Sequence, residues 1–247
     1  MNKLEEVSQL KKQLDNSRPL HQITLESIVA DLRLKYTYNS NALEGNTLTI
    51  YETKAILDNG VTISGKPLRE HLEVINHDKA IDLLLDYVKN KVPLNLKSIL
   101  SFHEIILRQI NDDWAGRLRN IPLRISGSQH VPISPAKVYT AMESYITDME
   151  KSREKLHPVV YAAIAHARLA NIQPFIDGNG RTSRLVMNME LMKSGYPIVL
   201  IDVNDRALYC RLLELGDINN DYTEFTDFIA DCVKKSLKIY LDAIEQS

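Results

Sequence analysis

Apolar residues recur at every third or fourth position along most of the chain, which is the period of an amphipathic α-helix. The nine glycines and nine prolines cluster between these stretches, where such residues commonly end helices. The pattern predicts helices over residues 2–15, 20–43, 49–57, 68–90, 96–110, 135–151, 158–172, 181–193, 205–215 and 221–244. We therefore expect an all-α fold over nearly the whole length.

One segment departs from the helical period. Residues 117–132 alternate polar and apolar side chains around a Ser-Gly-Ser turn at 126–128, a pattern typical of two short strands joined by a turn. The predicted fold class is thus all-α with one β-hairpin. No change of composition marks a second globular domain, and we expect residues 1–35 to form a helical arm on a main domain of residues 36–247.

The composition excludes several classes of protein. Hydrophobic residues make up 44% and charged residues 25% of the chain, which excludes a disordered chain, a collagen-like repeat and a coiled-coil rod. The net charge of −2 supplies no general positive field, so we expect no nucleic-acid partner. Two cysteines, Cys210 and Cys232, are too few for a disulfide framework and fit a reducing compartment. Without a signal-peptide pattern or a long apolar stretch, the expected location is the cytoplasm, with no membrane contact.

Residues 173–184, QPFIDGNGRTSR, carry the clearest chemistry. A Gly-Asn-Gly turn stands at the start of a predicted helix, where it exposes backbone N–H groups. Together with the helix dipole, these groups form a binding site for an anion. The residues of this turn are Gly178, Asn179 and Gly180.

Charged side chains surround this turn. Arg181 and Arg184 are three residues apart, so they share a helix face, and both can form paired hydrogen bonds with phosphate oxygens. Asp177 supplies a hard oxygen ligand suited to Mg²⁺ between phosphates. Together these residues indicate a site for a nucleoside polyphosphate with Mg²⁺. The alternative is a glycine-rich loop with a solvated capping cluster.

The stretch 166–184, HARLANIQPFIDGNGRTSR, resembles the signature of the Fic-domain family, His-Pro-Phe-x-[Asp/Glu]-Gly-Asn-Gly-Arg-x-x-Arg. The resemblance extends from about residue 36 to 232 and includes 41–49 and 67–77, so it implies a Fic domain over 36–247. The pattern is especially similar to the animal endoplasmic-reticulum members of the family. We expect a short relative without their membrane anchor and helical repeats.

The resemblance implies an activity and a set of binding residues. Fic proteins usually transfer AMP from ATP to a Ser, Thr or Tyr hydroxyl of a target protein. By this resemblance Asp177 holds Mg²⁺ on the α- and β-phosphates, and the turn at 178–180 forms the anion hole. Arg181 contacts the phosphates and Arg184 holds the γ-phosphate.

The resemblance also implies sites for the target protein and the nucleoside. The hairpin corresponds to the family's flap, which binds the target polypeptide by strand addition. The target is another protein or a second copy of this chain, and a homo-oligomer is expected. Tyr209 is either a wall of the adenine pocket or a core tyrosine. The flap residues assigned to target docking are Leu123, Arg124, Ile125 and Val131.

Gln173 is the one departure from the signature, which begins with histidine. In the family that histidine is the general base that takes the proton from the attacking hydroxyl. Glutamine does not titrate in the useful range, and loss of a general base costs roughly 10²–10⁴ in rate. His166, two helical turns upstream, is expected to be structural.

Three functions follow from this departure. The favoured one is an autoinhibited protein adenylyltransferase whose catalysis is impaired by Gln173. The alternatives are a non-catalytic ATP-binding protein and an enzyme that removes AMP. Phosphate transfer is disfavoured because the family members that perform it carry alanine where this chain has Gly178.

A second motif lies at the end of a predicted helix, where Ser40, Glu44 and Gly45 match the family's inhibitory pattern [Ser/Thr]-x-x-x-Glu-[Gly/Asn]. The residues alone indicate only a solvated acid at a helix end. The resemblance implies that the segment of about 36–45 is an inhibitory helix. Its Glu44 is expected to pair with Arg184 and to block the γ-phosphate site.

Overall fold

The computed structural model describes residues 2–19, 21–124 and 130–245. Within these ranges the chain folds into ten α-helices and two short 3₁₀ turns, the latter at Pro135–Lys137 and Val203–Asp205. The helices are α1 (Lys3–Asn16), α2 (Gln22–Ala42), α3 (Ile50–Asn59), α4 (Leu68–Lys89), α5 (Leu96–Leu107), α6 (Val138–Ser152), α7 (Pro158–Ile172), α8 (Asn179–Lys193), α9 (Arg206–Asn219) and α10 (Thr223–Glu245).

The predicted all-α class is confirmed, and local chemistry explains where individual helices begin and end. Thr49 caps α3, with its hydroxyl accepting from the Glu52 N–H and the Glu52 carboxylate accepting from the Thr49 N–H. Gly60 ends the same helix in the left-handed conformation at φ 63°. The sequence predicts α8 from residue 181, but the helix begins at Asn179, directly after the left-handed Gly178.

The predicted β-hairpin is not supported. The described parts of the 117–132 segment contain no strand, and 125–129, with Ile125, lie outside the described residues. The described residues of this segment are therefore held by contacts other than strand pairing.

Arg119 supplies that support. Its side chain is buried, and its Nε donates to the Gln173 carbonyl at 2.7 Å. Its two terminal nitrogens donate to the carbonyls of Ile121 and Ile133, at 3.0 Å and 2.6 Å. One guanidinium thus satisfies three backbone carbonyl groups from separate parts of the chain.

The helix α8 lies at the centre of the fold, since nearly all of its residues are buried. Two apolar clusters flank it, one built with α1 and α10 and the other with α4, α5 and α6. The helix α7 packs directly against α8. The loop that joins α7 to α8 is therefore fixed between two packed helices. No helix in the described ranges has the length and apolar character required to cross a membrane.

The N-terminal helix α1 packs against α10. Val7 and Leu14 of α1 are buried in the cluster that includes α10, and Lys3 pairs with Asp231 at 2.7 Å. The domain boundary predicted at residue 35 falls inside the continuous helix α2. The division into an arm and a main domain stays a prediction.

Candidate functional site

The loop between α7 and α8 is closed by Asn179. The Asn179 side chain accepts from the Phe175 N–H at 2.9 Å and donates to the Phe175 carbonyl at 2.7 Å. Gly178 adopts φ 75°, and a Cβ there would lie 3.1 Å from Ile106. Since Asn179 braces the loop from within, the predicted anion site depends on backbone N–H groups at the start of α8 rather than on this amide.

His103 supports the loop from α5. Its ring stacks on Phe175 with centroids 3.6 Å apart, and its Nε2 lies 3.0 Å from the Asp177 carbonyl. Its Nδ1 accepts from the Gly116 N–H, so the proton of the neutral ring is on Nε2. Burial lowers the pKa of His103 to about 4, which keeps the ring neutral. No local pattern in the sequence marks this role of His103, which lies 74 residues from Asp177.

The Asp177 carboxylate faces several positive groups. Its Oδ1 accepts from the Gly178 N–H at 2.6 Å and lies 3.4 Å from Nη2 of Arg181, while Oδ2 pairs with Arg69. Burial would raise the pKa of Asp177, but the charge of Arg181, the Gly178 N–H and Arg69 together hold it below its ordinary value. The side chain is 39% exposed, so an ionised carboxylate stands at the surface of the loop.

Arg181 is buried at the start of α8. Its Nη1 lies 3.3 Å from a Glu73 carboxylate oxygen, yet Nε and Nη1 make no hydrogen bond within the described residues. Buried guanidinium donors are normally paired. Two buried donors without a hydrogen bond in the described residues therefore indicate a capacity to bind a further anion. Glu73 and Arg69 of α4 belong to this site, and sequence analysis missed both.

Arg184 is buried beside the predicted inhibitory segment. Its Nη2 donates to Glu44 Oε1 at 2.8 Å and to the Ser40 carbonyl at 2.7 Å. Its Nε donates to Ser40 Oγ at 3.0 Å. The predicted ion pair between Glu44 and Arg184 is confirmed. The helix α2 ends at Ala42, however, so Glu44 and Gly45 lie in the turn that follows it rather than in its last turn.

Gly180 provides the space for this ion pair. A Cβ at position 180 would lie 2.2 Å from Glu44 Oε1 and 3.0 Å from Nη1 of Arg184. Such separations are shorter than non-bonded contacts permit. The Glu44 carboxylate thus lies directly over the first turn of α8, where an anion bound to the helix N-terminus would also lie.

A cavity of about 670 Å³ opens beside this turn. Its wall includes Glu44, Gln173, the Gly178–Gly180 turn and Tyr209 of α9. The structure therefore brings part of the predicted site around one space: Asp177, the turn at 178–180, Gln173, Glu44 and Tyr209. The other predicted phosphate and inhibitory residues, Arg181, Arg184, Ser40 and Gly45, are not among the described residues that line it. Tyr209 is largely buried and its hydroxyl accepts from Arg184 at 3.3 Å. Burial raises the pKa of Tyr209 to about 12, so the hydroxyl keeps its proton.

Comparison with known proteins identifies the family. Residues 93–191 match the sequence model of the Fic/DOC family. A solved structure of Fic-1 from C. elegans is 32% identical, covers 99% of this chain and 72% of its own chain, and superposes with a TM-score of 0.89. This chain belongs to the Fic family.

Other Fic relatives agree with this assignment. A solved Fic-domain-containing signalling protein from Bacteroides thetaiotaomicron is 28% identical, with a TM-score of 0.90 and coverage of 100% of this chain and 99% of its own. "Protein adenylyltransferase Fic" of Drosophila grimshawi is 38% identical over 84% of this chain, and that of Drosophila melanogaster is 36% identical over the same share. The chain spans 42% of the length of these two curated relatives.

Gln173 occupies the position of the Fic signature histidine in the left-handed conformation, at φ 49° and ψ 58°. Its Nε2 donates to the Ala170 carbonyl at 2.8 Å. His166 stacks on Phe225 and lies 2.9 Å from the Tyr209 hydroxyl, and burial lowers its pKa to about 3. His166 is thus packed in the core, outside the cavity wall formed by described residues.

The flap residues that the structure describes differ in their exposure. Leu123 is half-buried, Arg124 is exposed and Val131 is 81% exposed, whereas Ile125 lies outside the described residues. The adjacent His130 lines the cavity. Its Nδ1 lies 2.5 Å from the Asp217 carboxylate, and its Nε2 lies 2.8 Å from the Asn171 carbonyl. These contacts attach the C-terminal side of the flap to α9 and α7.

Proposed function

We propose that this Fic protein transfers AMP from ATP to a Ser, Thr or Tyr hydroxyl of a target protein. Glu44 restrains the activity, and Gln173 slows it. The observation that carries the proposal is the meeting of Asp177, Arg181 and Arg184 at the N-terminus of α8, beside the cavity. The named activity of the Drosophila relatives supports this chemistry.

Nucleotide binding rests on the start of α8. Arg181 offers two buried N–H donors that make no hydrogen bond within the described residues, and the N–H groups of the first turn add positive potential. The phosphate oxygens of ATP can accept hydrogen bonds from Arg181 and from these backbone N–H groups. Tyr209 is proposed as a wall of the nucleoside pocket because it lines the cavity next to the phosphate residues. Its ring can stack on adenine.

The residues fit Mg²⁺ that arrives with the nucleotide. No group of three or more acidic, histidine or cysteine side chains in the described parts of the chain could hold a metal. Mg²⁺ commonly binds through one or two carboxylates together with substrate phosphates. Asp177 is ionised and partly exposed, so it can provide the protein ligand. The ion would neutralise charge on the phosphates.

The transfer step forms a bond between the target hydroxyl oxygen and the α-phosphorus and breaks the bond from that phosphorus to the β-phosphate. Pyrophosphate leaves, and the hydroxyl proton must go to an acceptor. Gln173 can hydrogen-bond to the hydroxyl but cannot take the proton. Loss of this acceptor is expected to slow transfer by roughly 10²–10⁴. Gln173 also supports a second candidate, an ATP-binding protein that transfers nothing.

Glu44 is proposed to restrain the site through charge and volume. Its carboxylate holds Arg184, the arginine assigned to the γ-phosphate, and it lies over Gly180. ATP bound with its γ-phosphate on Arg184 would have to displace it. The target is proposed to enter beside the exposed flap residues Arg124 and Val131. Self-association of the chain is a further proposal.

Intact-mass analysis after incubation with ATP and Mg²⁺ tests the reaction type. The Glu44→Gly, Gln173→His double variant should gain the mass of AMP on itself or on an added target protein. Glu44→Gly alone should gain far less. Addition of a phosphate instead of AMP would refute the reaction. A silent double variant that binds ATP would support the binding protein.

A further inference from the structure

Asp177 has a second cationic partner that comes from a distant part of the chain. Arg69, in the first turn of α4, lies 108 residues from Asp177 and donates to its Oδ2 through Nη2. Its Nε donates to Glu73 Oε1 at 3.1 Å. Arg69 thus bridges two carboxylates and covers the oxygen of Asp177 that the Gly178 N–H leaves available.

Asp177 and Glu73 form a network of alternating charge with two arginines, one of which is Arg69. Arg181 completes the set, with Nη1 3.3 Å from Glu73 and Nη2 3.4 Å from Asp177. Two guanidinium groups and two carboxylates therefore balance in the resting protein. A divalent cation placed on Asp177 with Arg69 still present would set like charges side by side, which is unfavourable. Binding of the cation therefore requires one guanidinium to leave.

The burial of the two arginines decides which one leaves. Arg181 is enclosed at the base of α8, whereas the Arg69 side chain is 57% exposed. Arg69 can therefore reach water by a change of rotamer. Glu73 remains within reach of Arg69 four residues along the same helix, and it also accepts from Asn46 at 3.0 Å. Departure of Arg69 from Asp177 thus leaves no carboxylate without a partner.

We propose that Arg69 is the resting counter-ion of Asp177 and that Mg²⁺ accompanying a nucleotide replaces it. Arg69 thereby determines the Mg²⁺ concentration at which the nucleotide binds. The inference rests on the proposed nucleotide site and adds a residue that tunes its requirement for a divalent cation.

Calorimetry with ADP at a series of Mg²⁺ concentrations tests the inference. ADP is the probe because it lacks the γ-phosphate that Glu44 is proposed to exclude. Arg69→Gln should lower the half-saturating Mg²⁺ concentration about threefold, the effect expected for a half-exposed ion pair. Arg69→Lys should lie between that variant and the parent chain. Arg108→Gln is the matched control, since the Arg108 side chain is 52% exposed and, among the described residues, pairs with Glu104 alone. This change should leave the half-saturating Mg²⁺ concentration unaltered.

A second variant separates competition from a general structural effect. In an Asp177→Asn background, Arg69→Gln should no longer alter the Mg²⁺ dependence, whereas a fold defect would persist there. An unchanged or raised Mg²⁺ requirement in Arg69→Gln, with normal ADP binding by the parent chain, would overturn the inference alone. If no variant bound ADP at any Mg²⁺ concentration, the proposed nucleotide site would fail and the inference with it.

Discussion

Replacement of Glu44 by glycine is the most direct test of the proposal that Glu44 restrains ATP binding. The change removes the carboxylate that holds Arg184 and vacates the space over Gly180. Arg184 would keep its bonds to Ser40 and Tyr209, so its buried charge would not lose every partner. We expect ATP to bind more tightly and to fill the vacated position with its γ-phosphate.

The structure sets the expected size of this gain. A hydrogen bond between charged groups contributes roughly 1.5–3 kcal/mol. Glu44 is 36% exposed, so solvent screening reduces its contribution to about 1–2 kcal/mol. Removal of that competition corresponds to an ATP affinity about 5- to 30-fold higher. ADP should gain much less, because it places no phosphate on Arg184.

Calorimetry with ATP and ADP measures both gains. Glu44→Gln keeps the volume over Gly180 but removes the charge, so it should recover only part of the ATP affinity. Asp31→Ala is the matched control because it removes a half-exposed acid from α2, the helix that precedes Glu44, and among the described residues the Asp31 carboxylate pairs with Lys35 alone. Equal gains for ATP and ADP, or no gain at all, would refute the assignment of Arg184 to the γ-phosphate.

Three further expectations follow from other parts of the site. Asp177→Asn should make ADP binding nearly independent of Mg²⁺ in calorimetry, and an unchanged Mg²⁺ requirement would exclude Asp177 as the ligand. Arg119→Met removes three hydrogen bonds to backbone carbonyls and should lower the free energy of unfolding, measured in urea, by about 2–4 kcal/mol. The control Arg117→Met, at an exposed position, should leave the free energy of unfolding unchanged. Burial lowers the pKa of His166 from 6.5 to about 3. The neutral ring therefore contributes its full stabilisation of the fold above about pH 6.5, and this contribution is lost as the pH falls toward 3. His166→Gln should therefore flatten the fall in stability over that window, and an equally steep fall would contradict the burial argument.

The helices could be predicted from the sequence because their apolar period is a local property. Some helix ends differ from the predicted ones because a single residue sets them. The helix α8, for example, begins directly after Gly178, two residues before its predicted start. The β-hairpin could not be predicted reliably from a local pattern. Alternation indicates only that the chain is extended, and strand pairing depends on what lies beside it. In the described part of the segment the buried Arg119 donates to the carbonyl of Ile121, and no strand forms.

The site residues likewise fall into those that are close in sequence and those that only the fold brings together. The turn at 178–180 and its flanking charges lie within twelve residues of sequence, so their chemistry could be predicted directly. The pair between Glu44 and Arg184 joins residues 140 apart, and only the family resemblance pointed to it. Arg69, Glu73 and His103 were missed because helix packing brings them to the loop, and no local pattern marks them.

Position 173 is held by its main chain. Its carbonyl accepts from Arg119, and its left-handed conformation ends α7. Within the described residues its side chain donates to the carbonyl of Ala170, three residues earlier. The scaffold therefore places few demands on which side chain stands there. Exchange between glutamine and histidine should leave folding nearly unchanged. One substitution in a lineage could therefore remove or restore the proposed proton acceptor while the proposed nucleotide pocket persists.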